Sequence, residues 1–114
     1  MKVNIENIKF LNQLTSEVII LDKDLYIVWL NDSALNKGWV LNSNNKNNII
    51  TDQFSEETNG KLIGLLKNTV EKDGATTKRD FELTTSSNTK RVIDLTVSWS
   101  NDFNCLILEI LCVD

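Results

Sequence analysis

The sequence predicts an α+β domain: a five-stranded antiparallel sheet with crossover helices on one face and a further helix at the N-terminus. Two observations favour this class. Five segments are rich in β-branched and aromatic residues, and they fall into a group of two and a group of three. The connection between the groups is long enough to carry helices across one face of the sheet. The predicted strands cover residues 17–22, 26–30, 77–85, 90–99 and 103–113.

Alternation within the predicted strands assigns their faces. Residues 77–85 place Phe81 and Leu83 inward and charged residues outward. Residues 90–99 alternate in the same way, whereas residues 103–113 are apolar almost throughout. An unbroken apolar run is expected of a central strand that is covered on both faces. The first two strands are also apolar on both sides, so we expect each face of that hairpin to be covered.

Three helices are predicted from the spacing of apolar residues. The N-terminal helix covers residues 3–14. A short helix covers residues 32–40, with Asn31 as its N-terminal cap. The longest helix covers residues 56–73 and stops at Gly74, a residue that readily ends helices.

Two polar or flexible features interrupt this pattern. Gly60 and Gly64 weaken the long helix by about 1 kcal/mol each, and their spacing predicts a close approach of the helix to the sheet. Residues 42–48 are rich in asparagine, which favours local side-chain hydrogen bonds over regular structure. We therefore predict a surface loop there.

Length and charge indicate one cytoplasmic domain. The 114 residues divide into an N-terminal helical segment, residues 1–15, and a core, residues 16–114. With 12 basic against 16 acidic residues and no basic run, neither nucleic acid nor an anionic membrane is an expected partner. No apolar stretch approaches the roughly 20 residues that span a bilayer, and the N-terminus lacks the apolar block of a signal peptide.

No catalytic, cofactor-binding or metal site is predicted. The chain has no histidine, which excludes histidine-dependent catalysis, haem ligation by histidine and a phosphoacceptor histidine within it. Cys105 and Cys112 fall in one predicted strand, too far apart to form a disulfide with each other. The carboxylates are scattered over turns and outward faces, so no acid–base pair can be assigned. We expect no enzymatic activity and no cofactor.

Several segments resemble the PAS domain family. The residues EVIILDKDLYIVWLNDSA, positions 17–34, are similar to the opening of a PAS domain. More narrowly, residues 10–34, KRDFEL, KRVIDLTVSWSND and the acidic ending within Leu106–Asp114 resemble the N-terminal domain of NtrB-type nitrogen-regulation histidine kinases. The chain departs from that family at Asn31-Asp32-Ser33-Ala34, where Asn-Pro-Ala-Ala is usual.

The resemblance implies a dimeric sensory module that passes a signal to an effector domain. In NtrB-type proteins the effector is a histidine kinase controlled by a PII-like regulatory protein. A small ligand of unknown identity is compatible with this role. The flavin-binding Asn-Cys-Arg motif and the haem-ligating histidine of other PAS domains are missing. Two alternatives are the PAS module of a transcriptional regulator and a profilin-like or roadblock-like adaptor that binds protein without a ligand.

Two candidate surfaces follow from the apolar pattern. The N-terminal segment carries an apolar patch larger than a short helix can bury alone, and we expect it to form a dimer interface through Phe10, Leu11 and Leu14. The last two strands should form the floor of any ligand pocket. Its candidate lining residues are Trp29, Ile93, Leu95, Val97, Leu106, Leu108 and Ile110.

Overall fold

The computed structural model describes residues 9–39, 50, 54–85 and 88–112. Within these ranges the chain forms a short 3₁₀ helix, two α-helices and five β-strands. In chain order they are the 3₁₀ helix Lys9–Gln13, β1 Glu17–Asp22, β2 Ile27–Leu30, α1 Asp32–Asn36, α2 Glu56–Lys72, β3 Ala75–Thr84, β4 Lys90–Ser100 and β5 Cys105–Cys112.

The five strands form one antiparallel sheet in the order β2-β1-β5-β4-β3. The three C-terminal strands are consecutive neighbours, and β5 then pairs with β1, so the first hairpin joins the sheet through the last strand. The expected α+β class and the central place of β5 are confirmed. A central strand needs apolar residues on both sides, which explains the sequence of β5.

Helix α2 agrees with its prediction to within a residue at its C-terminal end. The Ser55 hydroxyl caps its N-terminus by accepting a hydrogen bond from Thr58 N at 3.3 Å. The helix ends at Lys72 because Asp73 adopts a left-handed conformation, with φ of 53°. Aspartate tolerates this conformation better than most residues, so the stop comes one residue before Gly74.

The other two predicted helices differ in extent. Helix α1 ends at Asn36, not at residue 40, because Gly38 has a φ of 97° and turns the chain away. Of the helix predicted over residues 3–14, the structure describes only the part from residue 9 onward, and there it is a 3₁₀ helix. The remainder of that helix and the loop predicted over residues 42–48 lie outside the described residues.

The register of the sheet assigns each side chain to one of two faces. Residues directly opposite each other in an antiparallel pair point to the same face. Leu108 lies opposite both Ile19 and Val97, so these three share one face. We call it the core face, because α2 packs on it through Leu62 and Leu66. The opposite side is called the outer face.

The outer face is buried at one place and open at another. Val18 and Ile20 point outward from β1 and are nevertheless fully buried. Leu111 lies on the same face near the end of β5 and is 52% exposed. As expected, β1 of the first hairpin is buried on both faces. Strand β5 was also expected to be covered on both faces, but its outer face is exposed at Leu111.

The side chain of Asn31 joins three segments of the chain. Its Oδ1 accepts hydrogen bonds from Val18 N and Ala34 N, each at 2.9 Å, and the second of these caps α1 as predicted. Its Nδ2 donates to Leu11 O at 3.0 Å and to Ser16 O at 2.9 Å. Asn31 is fully buried, and every hydrogen-bonding atom of its amide has a partner.

We expect Asn31→Asp to lower the free energy of unfolding by at least about 2 kcal/mol, because two buried carbonyls lose their donor and face a carboxylate oxygen. Urea unfolding followed by tryptophan fluorescence measures the change. Asn36→Asp is the matched control on the exposed end of α1 and should cost within about 0.5 kcal/mol. Equal losses of stability in the two variants would show that the hydrogen bonds of Asn31 contribute no more than those of an exposed asparagine.

Leu108→Ala should cost about 2–5 kcal/mol, since it removes a fully buried side chain from the centre of the core and leaves a cavity. Leu111→Ala is the matched control: it makes the same substitution in the same strand at an exposed position and should cost within about 0.5 kcal/mol. Urea melts of both variants give the difference. Similar small losses would mean that the core face of β5 is poorly packed.

Candidate functional site

Six of the seven residues predicted to line a pocket do lie together on the core face. They come from the two adjacent strands β4 and β5, are fully buried and belong to one apolar cluster with Leu62 and Leu66 of α2. Four cavities lined by described residues lie elsewhere. Within the described part of the chain, these six residues pack against α2: Ile93, Leu95, Val97, Leu106, Leu108 and Ile110.

Trp29, the seventh residue, is not brought to this surface. It lies opposite Ile20 in the β1–β2 pair, and Ile20 points to the outer face. A shift in register between Ile20 and Leu21 gives β2 an extra residue at this point. The sequence could not assign a face to Trp29, because residues 26–30 are apolar on both sides and show no alternation.

A buried ion pair lies on the core face near the end of the sheet. Arg91 of β4 donates to both carboxylate oxygens of Glu17 in β1, from Nη1 to Oε1 at 3.0 Å and from Nη2 to Oε2 at 2.6 Å. Trp39 Nε1 also donates to Oε1 of Glu17, at 2.7 Å. The Glu17 side chain is 3% exposed and that of Arg91 is 20% exposed. The carboxylate thus has three donors and no need for water.

A small cavity of about 70 Å³ opens beside this ion pair. Its walls are an aromatic pair, with Trp39 and Phe54 in an edge-to-face contact at 5.2 Å, and its polar side includes Lys37 and Arg91. A cavity of this volume can hold a few waters or a very small molecule. It is far below the 300–1,000 Å³ of ordinary ligand pockets.

The predicted dimer patch is accessible. Phe10 is 61% exposed and Leu14 is 39% exposed, while Leu11 between them is partly buried. The 3₁₀ helix that carries Phe10 and Leu11 is fixed to the sheet, because Asn31 Nδ2 donates to Leu11 O and Asp32 N donates to Asn12 Oδ1 at 2.9 Å. Two large apolar side chains therefore project from a held segment.

Solved structures with the same arrangement are PAS domains. The PAS domain of nitrogen regulation protein NR(II) from Vibrio parahaemolyticus is 16% identical, with a TM-score of 0.68, and the match covers 97% of this chain and 100% of that one. A PAS domain from Colwellia psychrerythraea is 8% identical, with a TM-score of 0.73 and coverage of 95% and 94%. A PAS domain from a two-component sensor histidine kinase is 7% identical, with a TM-score of 0.66 and coverage of 94% and 93%.

This chain has the PAS fold. No protein-family model matches the sequence, and no curated protein matches it. Identities of this size establish the architecture of the domain, so what the domain does is argued from its own residues.

The described residues of this PAS-fold domain provide few reactive groups. No three side chains among histidine, cysteine, aspartate and glutamate in those ranges lie close enough together to hold a metal ion. Burial raises the pKa of the Cys105 thiol, so it stays protonated and unreactive at neutral pH. No helix in the described part of the chain is long and apolar enough to cross a membrane.

The ion pair was missed by the sequence analysis, although part of its signal was visible. Glu17 alternates with Ile19 and Leu21, so it occupies an inward position of β1. A charged residue at an inward position demands a partner. The sequence alone gave no means of choosing Arg91, because the two residues are 74 positions apart and lie on strands that are not neighbours.

Arg91→Met should lower the free energy of unfolding by about 3 kcal/mol, because it leaves the Glu17 carboxylate buried without its cation. Glu17→Gln should cost less, since its amide oxygen can still accept from Trp39. The double variant should be about as stable as Glu17→Gln alone, because the buried charge is gone in both. Urea unfolding of the wild type, the two single variants and the double variant gives the coupling energy between the two side chains. Additive losses would show that the two side chains are not coupled.

Proposed function

We propose that this PAS domain is a non-catalytic sensory and regulatory module of the cytoplasm. In this proposal it forms the N-terminal signalling and dimerisation part of a two-component sensor histidine kinase of the nitrogen-regulation type. The likeness to the NR(II) domain over 97% of this chain supports the assignment, together with the sequence segments that resemble NtrB-type proteins. Phosphotransfer would belong to a separate domain, since this chain has no histidine.

The observation that carries a dimeric module is the exposed apolar patch of Phe10 and Leu14. Two large side chains held in water on one side of a domain are typical of an interaction surface. In a two-fold dimer the same patch of each subunit contacts that of the other. Such a contact suits the uncharged, apolar side chains of this patch. Dimerisation also suits a histidine kinase partner, in which a signal is read from the relative position of two subunits.

The route from the domain to an effector would run through β5. This strand is the centre of the sheet, and its core-face residues pack against α2. A change at α2 or at the dimer patch would reach an effector joined beyond β5 without an intervening loop in the described residues. We further propose control by a PII-like regulatory protein as the partner that supplies the signal.

The packed core face supports a second candidate. The six residues expected to form a pocket floor are covered by α2, which favours recognition of proteins over recognition of an enclosed ligand. The domain would then act as a protein-binding adaptor with a PAS fold. Both candidates share the dimer patch, and they differ in whether a kinase receives the signal.

The double variant Phe10→Glu/Leu14→Glu should convert the protein from dimer to monomer, because four carboxylates would face one another across the two-fold interface. Sedimentation equilibrium measures the mass distribution. Leu35→Glu is the matched control, since Leu35 is 49% exposed on α1 and lies outside the patch. If the double variant keeps the mass distribution of the wild type, the dimer interface lies elsewhere.

A chimeric kinase separates the two candidates. This chain would replace the PAS domain of a nitrogen-regulation histidine kinase, and autophosphorylation would be measured with and without a PII protein. A kinase module should restore PII-sensitive autophosphorylation, and the double variant at Phe10 and Leu14 should abolish it. A chimera that dimerises but stays inactive under both conditions would favour the adaptor.

A further inference from the structure

The turn between β1 and β2 holds a leucine in a conformation that leucine rarely adopts. Leu25 has a φ of 71°, in the left-handed region of the backbone. This region is unfavourable for a residue that carries a Cβ, and glycine, asparagine and aspartate occupy it far more often than leucine. Backbone strain of this kind persists where the surrounding structure holds the residue in place, and it is frequent at ligand-binding sites.

Hydrogen bonds on both sides of Leu25 fix the shape of this turn. Oδ1 of Asp22 accepts from Asp24 N at 2.9 Å and from Tyr26 N at 3.0 Å. Leu25 N donates to Asp22 O at 3.0 Å, and Leu25 O accepts from Ile50 N at 2.9 Å. Ile50 is itself fully buried in the apolar core. The turn therefore has its shape before anything binds beside it, which lowers the entropic cost of binding.

A cavity of about 230 Å³ lies between this turn and α2. Its apolar walls are Leu25 from the turn and Val70 from α2, both of them partly buried against the core. Leu66 of α2 also lines the cavity and is fully buried, which places it at the base. An apolar cavity of about 150 Å³ is large enough for benzene, whereas drug-sized ligands occupy roughly 300–1,000 Å³. The space beside Leu25 therefore suits a ring or a branched chain with one short polar group.

The remaining lining residues of the cavity are charged. Lys23 of the turn and Lys67 and Glu71 of α2 are all exposed at its rim. In the described part of the chain, none of the three belongs to an ion pair. The neighbouring carboxylates of Asp22 and Asp24 are not among the lining groups, and that of Asp22 accepts hydrogen bonds from the amides of its own turn. Two ammonium groups against one carboxylate make the rim cationic.

We propose that this cavity binds a small organic monoanion with an apolar body, such as an aromatic or branched-chain monocarboxylate. The apolar body packs between Leu25 and Val70, and the carboxylate faces the ammonium groups of Lys23 and Lys67. Glu71 at the same rim disfavours a second negative charge on the ligand, because like charges side by side repel each other. This inference rests neither on the dimer patch nor on the kinase assignment.

The bound anion would join two parts of the domain that polar contacts leave separate. In the described residues, no hydrogen bond or ion pair connects the lining residues of the turn with those of α2. A ligand that packs against both sides adds contacts across the cavity and opposes local opening of the turn. Binding should therefore protect the amide of Ile50 from hydrogen exchange, since that amide is bonded to Leu25 O.

Amide NMR titration of the full chain tests the proposal with three probes that share one apolar body. Phenylacetate carries a negative charge, phenylacetamide is neutral and phenethylammonium carries a positive charge. Phenylacetate should give saturable shifts of the amides in residues 23–25 and 66–71, which form the two sides of the cavity. Phenylacetamide should bind at least about threefold more weakly, because exposed charge pairs contribute modestly, and phenethylammonium should bind more weakly still.

The double variant Lys23→Glu/Lys67→Glu reverses both cationic groups at exposed positions. It should weaken phenylacetate binding at least about tenfold and leave the affinity for phenylacetamide within about twofold. Lys78→Glu/Lys90→Glu is the matched control, since it makes the same change in net charge at exposed positions of β3 and β4, toward the opposite edge of the sheet from β2. Salt screens charges at such a distance, so the control should keep the affinity for phenylacetate within about twofold.

Leu25→Gly removes one apolar wall without opposing the backbone, since glycine adopts a positive φ without strain. It should weaken phenylacetate and phenylacetamide alike, at least about fivefold, because both probes lose the same apolar contact. Leu35→Ala is the control: it truncates an exposed leucine of α1 that does not line the cavity, and it should leave both affinities within about twofold.

The proposal is wrong if phenylacetate gives no saturable shifts, if phenethylammonium binds as tightly as phenylacetate, or if Lys23→Glu/Lys67→Glu keeps the wild-type affinity for phenylacetate. An unchanged affinity of Leu25→Gly would place the apolar body outside the cavity and would also overturn it. Saturable shifts centred on Trp39 and Phe54 would assign binding to the cavity of about 70 Å³ beside the ion pair, with the same consequence. None of these results bears on the dimer patch, which has its own double variant.

Discussion

The side chain of Asn31 connects parts of the domain that the sheet alone does not join. Its four hydrogen bonds hold the 3₁₀ helix, the start of β1 and the start of α1 around one buried amide. Hydrogen bonds of this kind contribute modestly when made and cost much more when one partner is removed. The position of the predicted dimer patch therefore depends on Asn31, because the carbonyl of Leu11, which lies between Phe10 and Leu14, accepts a hydrogen bond from it.

Glu17 and Arg91 provide a second polar connection, across the width of the sheet. They lie on β1 and β4, which β5 separates, so the ion pair spans a strand that contributes no charge to it. Trp39 adds a donor from the segment after α1. A buried pair of this kind adds little net stability over an apolar core, and it is costly to break, so it favours one arrangement of these segments over others.

The sequence predicted what depends on local pattern and missed what depends on long-range geometry. Alternation in β3 and β4 gave the inward places of Phe81, Leu95 and their neighbours, and the capping role of Asn31 was visible from its position before α1. Trp29 was predicted among the pocket residues, and its pairing with Ile20 places it on the outer face, which the apolar sequence of β2 did not reveal. The pairing of Glu17 with Arg91 could not be predicted either, since the two residues lie on strands that are not neighbours.

Helix α2 connects the core face of the sheet to two other parts of the domain. A partner changes the state of a protein only if it binds one arrangement better than another. Here α2 is the element through which such a preference could spread, because it covers the core face and is bonded at one end to Thr84 of β3 and at the other to Asn101 in the turn before β5. If α2 moved, the β3 edge and the β4–β5 turn would have to move with it, because the two hydrogen bonds would otherwise break. The edge of β3 and the β4–β5 turn are thus mechanically connected through α2.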